Sequence, residues 1–184
     1  TDAEVVTMSG SVPKGVRKDI YGDLVHKVKG WGKLIILDTS GELLREGIKA
    51  GPDMIKPNQE ELSMLVGKPV TNLKEVKEAA LMLHRGGIGR VVVSLGKEGA
   101  LLVCGQGIFH GIPPKIKAVN TAGCGDSMVA AFAVAFRRGY DDKESLKYAV
   151  AVSAANALSE QTGYFETDEL EKIYPCVRIQ KIEV

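Results

Sequence analysis

The chain has 184 residues, of which 45% are hydrophobic and 26% are charged, and its formal net charge is +1. This length and composition predict a globular protein with a sizeable core, and the near-neutral charge gives no reason to expect nucleic-acid or membrane binding. No apolar run is long enough to span a membrane, and the acidic start Thr1-Asp2-Ala3-Glu4 lacks the basic residues and apolar core that are expected of a signal peptide. The three cysteines, an odd number, favour a reduced, cytoplasmic setting.

The first half of the chain alternates between apolar strand-like runs and segments with helical spacing. In chain order the predicted elements are strand 5–8, helix 17–30, strand 34–37, strand 53–55, helix 59–66, helix 72–85 and strand 91–94. The continuous apolar run Leu34-Ile35-Ile36-Leu37 favours a strand that is covered on both faces, as in a parallel sheet.

The second half begins with a predicted hairpin, formed by strands 100–103 and 107–110. A loop then leads into an apolar, Ala-rich run at 128–136, which predicts a buried helix that begins near Asp126. A further helix is predicted over 143–160, and 177–184 is a tail. This alternation predicts a single α/β domain over 1–184 with a mostly parallel sheet between helix layers.

Polar residues follow several of the predicted strands. Asp38 ends one strand, Lys56 and Asn58 follow another, and Ser94 ends a third. Ligands of parallel sheets bind beyond the carboxyl ends of the strands, so these four side chains are expected to converge on one edge.

The segment Asn120-Thr121-Ala122-Gly123-Cys124-Gly125-Asp126 lies where a loop enters a predicted helix. Amides at a helix N-terminus have no intrahelical partner and attract anions, and glycine lets an anion approach them closely. A carboxylate in the same turn suits phosphoryl transfer, because it can take the proton from an attacking hydroxyl. In isolation, however, Gly-x-Gly-Asp is also typical of an ordinary helix cap.

Three motifs in this order resemble the PfkB (ribokinase-like) family of carbohydrate kinases. They are the glycine motif at 120–126, the Asn-x-x-Glu pair of Asn58 and Glu61, and the Ser-Leu-Gly-Lys-Glu-Gly segment at 94–99. The segments at 9–15 and 38–41 are similar to the sugar-phosphate branch, which holds 1-phosphofructokinase, tagatose-6-phosphate kinase and the minor 6-phosphofructokinase. The resemblance covers nearly the whole chain.

The resemblance implies a ribokinase-like three-layer αβα sandwich that transfers the γ-phosphoryl group of MgATP to a ketohexose phosphate. Fructose 1-phosphate is the favoured acceptor, and tagatose 6-phosphate is the second choice. Members of the family begin earlier, so the chain is expected to be the C-terminal part of a longer kinase, without the first strands and the β-lid. An inactive nucleotide-binding fragment is therefore an alternative, and a homodimer is compatible with the resemblance for the intact enzyme.

The resemblance also assigns roles to individual residues. Asp126 is the expected base, with the anion hole formed by the amides at 123–126. The nucleotide is expected to contact the following residues: Lys56, Asn58, Ser94, Leu95, Gly96, Lys97, Glu98, Gly99, Gly125 and Asn156. Ser11 is the expected contact of the sugar phosphate, with Lys14 nearby. Glu61, and more weakly Asp38, would organise Mg²⁺ through water, and backbone near Asn120 and Ala122 would hold a monovalent cation.

Cys124 supports a competing hypothesis. A thiol at a helix N-terminus can have a depressed pKa and act as a nucleophile, in which case a histidine is needed nearby. The candidates are His26, His84 and His110, and none has a diagnostic spacing. Because members of the family vary at the position of Cys124, often with Ala or Ser, the resemblance favours a small residue of which only the amide is used.

Overall fold

The computed structural model describes residues 2–183, which form seven strands and seven α-helices. The chain divides into two compact units. The first runs up to Ser94 and includes Val103–Gln106, and the second contains Leu95–Leu102 and the chain from Gly107 onward. The α/β class predicted from the sequence is confirmed, whereas the extent of one kinase domain over 1–184 stays a prediction and includes two terminal residues that lie outside the described ones.

Four strands and four helices form the first unit. They are, in chain order, β1 (Val5–Ser9), α1 (Ile20–Lys29), β2 (Leu34–Asp38), α2 (Gly41–Gly47), β3 (Met54–Ile55), α3 (Gln59–Val66), α4 (Leu73–Arg85) and β4 (Arg90–Ser94). Each strand pairs in parallel with the next, and the register places Ser9 opposite Asp38 and Ile55 opposite both Leu37 and Val91. The carboxyl ends of these strands therefore lie along one edge.

The core of this sheet consists of β-branched and Leu side chains. Ile35, Leu37, Val91, Val92 and Val93 have no exposed surface. Side chains that point to both faces of a strand are thus covered, which explains why these strands read as continuous apolar runs rather than as alternating ones.

The second unit contains the remaining strands and helices. They are β5 (Ala100–Cys104, whose last two residues belong to the first unit), β6 (Gly107–Ile112), α5 (Cys124–Arg137), α6 (Asp142–Leu158), α7 (Thr167–Ile173) and β7 (Arg178–Ile182). β5 and β6 are hydrogen-bonded neighbours, as the predicted hairpin requires, and β6 pairs antiparallel with β7. Helices α5 and α6 pack on each other along Ala-rich faces.

The structure adds three elements that the sequence analysis did not predict. Helices α2 and α7 have seven residues each, too short for a clear periodicity. The predicted tail contains strand β7, whose hydrogen bonds go to the distant β6. The predicted helix at 17–30 begins three residues later, at Ile20.

Candidate functional site

The polar residues at the strand ends of the first unit lie together, as the sequence predicted. Asp38 is the last residue of β2, Lys56 follows β3, and Asn58 precedes α3. Asn58 forms a parallel bridge with Ser94, and the Ser94 amide donates to the carbonyl of Pro57 at 3.0 Å. The structure therefore connects the Lys-Pro-Asn segment to the end of β4 through backbone hydrogen bonds.

Lys56 and Asp38 form a largely buried ion pair. Lys56 Nζ lies 3.3 Å from Asp38 Oδ1, and the two side chains are 7% and 16% exposed. A buried ammonium group requires a counter-charge, so Asp38 compensates the desolvation of Lys56. This pairing makes Asp38 less suited to hold a divalent cation directly.

Asn58 and Glu61 form a capping box at the start of α3. Asn58 Oδ1 accepts a hydrogen bond from the Glu61 amide at 2.8 Å, and Glu61 Oε2 accepts one from the Asn58 amide at 2.9 Å. The Asn-x-x-Glu spacing thus has a structural role that the sequence analysis did not identify. Asn58 Nδ2 and Glu61 Oε1 take no part in the box, have no hydrogen-bond partner among residues 2–183, and can contact a ligand.

The loop after β1 is held by two buried hydroxyl groups. Thr39 Oγ1 donates to the Gly10 carbonyl at 2.6 Å, and the Tyr21 hydroxyl lies 3.0 Å from the Ser9 carbonyl and 3.1 Å from that of Gly10. The next residue, Ser11, is exposed. The loop consequently presents Ser11 to solvent from a fixed backbone.

In the second unit, the segment Leu95–Gly99 is a tight turn with three exposed residues. The Leu95 amide donates to the Gly99 carbonyl at 2.8 Å, and the residues between them form a single 3₁₀ turn. His110 is buried, and its Nε2 lies 2.7 Å from the Glu98 carbonyl oxygen. Gly99 has φ +86°, and a Cβ atom there would overlap the carbonyl oxygen of Gly111, so only glycine fits.

Gly123 occupies the N-cap position of α5 in a left-handed conformation, with φ +78°. A Cβ atom at this position would lie 2.8 Å from the amide nitrogen of Gly163 and 2.9 Å from Thr162 Cγ2. Glycine is therefore required both by the backbone conformation and by the close approach of the segment at 162–163.

The first turn of α5 presents amides and a carboxylate to solvent. Asp126 is exposed, and no acceptor contacts the amides of Gly125 and Asp126 within residues 2–183. The Cys124 amide donates to the Thr121 carbonyl at 3.3 Å. Of the four amides expected in the anion hole, those of Gly123, Gly125 and Asp126 thus have no acceptor among residues 2–183 and can bind an anion.

Two side chains from α6 hold this turn in place. Asn156 is fully buried and its side-chain amide contacts Ala122, Cys124 and Ser127, while Ser153 Oγ donates to the Cys124 carbonyl at 3.1 Å. A nucleotide contact for Asn156 stays a prediction, and it would have to displace one of these partners. The sequence feature that could have indicated this buried role is a single Asn within an Ala-rich helix.

Asn120 fixes the start of the glycine motif at 120–126. Its Nδ2 donates to the Glu160 carbonyl at 3.1 Å, and its Oδ1 accepts from the Ala122 amide at 2.9 Å. The amides of Val119 and Asn120 both donate to the Ala157 carbonyl at the end of α6, at 2.7 and 3.2 Å. Backbone and side chain together fix the path of the chain into the glycine motif.

A Cys124 nucleophile would require a histidine beside its sulfur, and no histidine of residues 2–183 contacts Cys124. Cys124 Sγ receives a hydrogen bond from Asn156 Nδ2 at 3.2 Å. The rings of His84 and His110 contact the backbone carbonyls of Ile88 and Glu98, both at 2.7 Å, and His26 is exposed on α1. The sulfur has an amide neighbour in place of a general base.

Residues 2–183 contain neither a cluster of metal-binding side chains nor a membrane-spanning helix. No group of three or more His, Cys, Asp or Glu side chains is close enough to hold a metal ion, and no helix there is long and apolar enough to cross a membrane. A cavity of about 250 Å³ lies beside the end of α6, with Ala155, Leu158, Tyr164 and Glu169 in its lining, and it includes none of the predicted site residues.

Comparison with known proteins agrees with this geometry. A pfkB family carbohydrate kinase profile matches residues 1–169. The chain is 41% identical over its whole length to a tagatose-6-phosphate kinase from Staphylococcus epidermidis, and 35% identical over 98% of its length to a 1-phosphofructokinase from Haemophilus influenzae. It spans 59% and 58% of the length of these two relatives.

A solved structure has the same fold. Phosphofructokinase-2 from Escherichia coli, in complex with potassium, superposes with a TM-score of 0.89 and 35% sequence identity over 94% of this chain and 56% of that one. The predicted ribokinase-like architecture is thereby confirmed. The profile match, the relatives and the fold agree, and the chain belongs to the pfkB family of carbohydrate kinases.

Proposed function

We propose that the protein is an ATP-dependent phosphohexose kinase in which Asp126 is the general base. The observation that carries this proposal is the exposed Asp126 carboxylate in the same helical turn as two amides, of Gly125 and Asp126, that have no acceptor among the described residues. Family membership supplies the reaction class, and this turn supplies the groups that the reaction needs.

In the proposed reaction the sugar hydroxyl attacks the γ-phosphorus of ATP. Its proton passes to Asp126, a new oxygen–phosphorus bond forms, and the bond to the β-phosphate oxygen breaks to release ADP. The amides of Gly125 and Asp126 hold charge on the transferring group, and the dipole of the 14-residue helix α5 adds to their effect. The Cys124 amide is a weaker donor because it already contacts Thr121.

Nucleotide contacts are proposed for the strand-end residues and for the turn at 95–99. Lys56 would pair with phosphate oxygens, and Asn58 would donate through the Nδ2 atom that the capping box does not use. Leu95, Gly96, Lys97, Glu98 and Gly99 would lie along the nucleotide. Ser94, whose amide donates to the Pro57 carbonyl, is a further proposed nucleotide contact.

The residues present fit Mg²⁺ bound through water rather than in a protein cage. Glu61 offers one carboxylate oxygen outside the capping box, and Asp38 is paired with Lys56. Because Mg²⁺ gives up its hydration reluctantly, a single carboxylate that orients bound waters is sufficient when phosphates supply the other ligands. Bound Mg²⁺ would neutralise charge on the β- and γ-phosphates.

A monovalent cation is a further proposed cofactor. The Escherichia coli relative was solved with potassium. In this chain the carbonyl groups of Asn120 and Ala122 border the glycine motif, and carbonyl oxygens are suitable ligands for such an ion. The Ala122 carbonyl accepts one hydrogen bond, from Asn156, and retains a second lone pair.

The proposed acceptor is a ketohexose phosphate, with Ser11 as a contact of its phosphate group. Fructose 1-phosphate is the acceptor predicted from sequence, and the identity of 41% to a tagatose-6-phosphate kinase favours tagatose 6-phosphate as a second candidate. The family also suggests a 6-phosphofructokinase activity, with fructose 6-phosphate as the third candidate acceptor. For the intact enzyme it suggests a homodimer.

A coupled assay of ADP release with each sugar phosphate tests this function, and calorimetric titration with MgATP in parallel tests nucleotide binding. We expect turnover with fructose 1-phosphate or tagatose 6-phosphate, formation of a bisphosphate, and abolition by EDTA. Nucleotide binding without turnover by this chain, next to turnover by a full-length version assayed in parallel, would favour the alternative of an inactive nucleotide-binding fragment.

A further inference from the structure

Asn156 contacts the glycine motif on both sides of Gly123. Its Nδ2 donates to the Ala122 carbonyl at 3.1 Å, before the glycine, and to Cys124 Sγ at 3.2 Å, after it. Its Oδ1 accepts from Ser127 Oγ at 3.1 Å, in the next part of the same turn. One side chain of α6 thus forms hydrogen bonds to three residues that lie on either side of Gly125 and Asp126 in the chain.

The contact of Asn156 with Ser127 is buried, and the contacts with Ala122 and Cys124 are partly buried. Asn156 has no exposed surface and Ser127 is 7% exposed. Hydrogen bonds in such surroundings are costly to lose, because a buried donor or acceptor without a partner incurs the full desolvation penalty. The loop therefore cannot move away from α6 without leaving the buried side-chain amide of Asn156 unsatisfied.

The chemistry of the three partners requires an amide at this position. The Ala122 carbonyl can only accept, so the nitrogen of the side chain must face it, and this fixes which way the amide is oriented. An ionised carboxylate at position 156 would bring an oxygen against that carbonyl. An apolar side chain would leave both Ala122 and Ser127 without their buried partner.

We infer that Asn156 is a positioning residue, which sets the orientation of the Asp126 carboxylate and of the Gly125 and Asp126 amides for phosphoryl transfer. Ser127 follows Asp126 directly, and Ala122 and Cys124 border the left-handed Gly123, so the hydrogen bonds of Asn156 fix the backbone on both sides of these groups. Correct placement of reacting groups within fractions of an ångström governs rates of this kind. This inference rests on the proposed function.

Asn156→Asp and Asn156→Ala in the full-length protein test the inference. The expected result is a fall in kcat of about 100-fold with little change in the KM for MgATP, because misplacement of the base affects the transition state more than nucleotide binding. Ser127→Ala removes one of the three hydrogen bonds and should lower kcat by a smaller factor. It also serves as the test if the Asn156 variants fail to fold.

The matched control is Ser145→Ala. Ser145 is fully buried on the same helix, and its Oγ donates to the Tyr140 carbonyl at 3.4 Å, far along α6 from the glycine motif. This variant should lose some stability and keep its kcat. Amide hydrogen exchange gives a readout that does not depend on activity: the Ser127 amide, which donates to the Gly123 carbonyl at 2.8 Å in this turn, should exchange faster in Asn156→Ala and unchanged in Ser145→Ala.

Two outcomes separate this inference from the proposed function. Normal turnover in Asp126→Asn would contradict the proposed function, and hydrogen exchange would still report whether Asn156 holds the turn. Loss of turnover in Asp126→Asn, together with normal kcat and normal exchange protection in a folded Asn156→Ala, would overturn the positioning role of Asn156.

Discussion

Lys56 Nζ and Asp38 Oδ1 lie 3.3 Å apart at the ends of the strands β3 and β2. The side chain of Lys56 is 7% exposed, so most of its length is enclosed while its ammonium group is held at the carboxyl edge of the sheet. The Asp38 carboxylate supplies the charge that makes this burial tolerable. Lys56 is therefore fixed in position before any ligand binds.

Asp38→Asn should destabilise the protein more than Lys56→Met. The first substitution leaves a buried ammonium group without its counter-charge, whereas the second leaves a carboxylate that is more exposed. We expect a loss of about 3 kcal/mol in the free energy of unfolding for Asp38→Asn, at the lower end of the cost of breaking a buried pair. Urea denaturation of both variants measures the difference, and equal stabilities would show that the pair is effectively solvated.

The capping box allows the structural and the proposed phosphate-binding roles of Asn58 to be separated. Asn58→Ala removes the cap and should cost about 1 kcal/mol of stability, whereas Asn58→Ser keeps a side-chain oxygen that can accept from the Glu61 amide. Both variants lose Nδ2, so both should raise the KM for MgATP. A normal KM in Asn58→Ser would assign the motif to helix capping alone.

Gly123→Ala should be more damaging than Gly139→Ala, although both glycines are left-handed, with φ +78° and +73°. Either substitution incurs about 1–2 kcal/mol for the backbone conformation. Only at Gly123 would the added Cβ meet backbone, 2.8 Å from the Gly163 nitrogen, while nothing lies within 4 Å at Gly139. Thermal unfolding and kcat of the two variants test this, and equal effects would contradict the close approach at 162–163.

Cys124→Ala should retain substantial kinase activity. The thiol accepts one hydrogen bond, from Asn156 Nδ2, which keeps its second partner at Ala122 when the sulfur is removed. Steady-state kinetics and an unfolding curve of this variant are the measurements. Complete loss of turnover in a folded protein would revive the hypothesis of a cysteine nucleophile.

The sequence predicted the elements that depend on local pattern and missed those that depend on distant partners. Strands β2 and β4 follow from their continuous apolar runs, and helix α4 follows from its helical spacing, with Asn72 as its N-cap. Strand β7 is largely polar and has no buried residue, and it is stabilised by hydrogen bonds to β6. Nothing local distinguishes such a segment from a tail.

The residues of the candidate site also divide into those that local pattern predicts and those that depend on side-chain packing. The residues of the strand ends could be placed from the order of the strands, because parallel strands bring their carboxyl ends to one edge. The ion pair of Lys56 with Asp38 and the burial of Asn156 depend on how side chains pack, and residue spacing does not encode that. The Asn58-x-x-Glu61 capping box could have been identified from its spacing.

The kinetics of Asp126→Asn test the central claim most directly. Asparagine keeps the size of the side chain and the first turn of α5 but cannot accept the proton of the attacking hydroxyl, so the account predicts a loss of several orders of magnitude in kcat with an unchanged affinity for MgATP. Turnover close to that of the unmodified enzyme, with the sugar phosphate that it prefers, would contradict the assignment of Asp126 as the base.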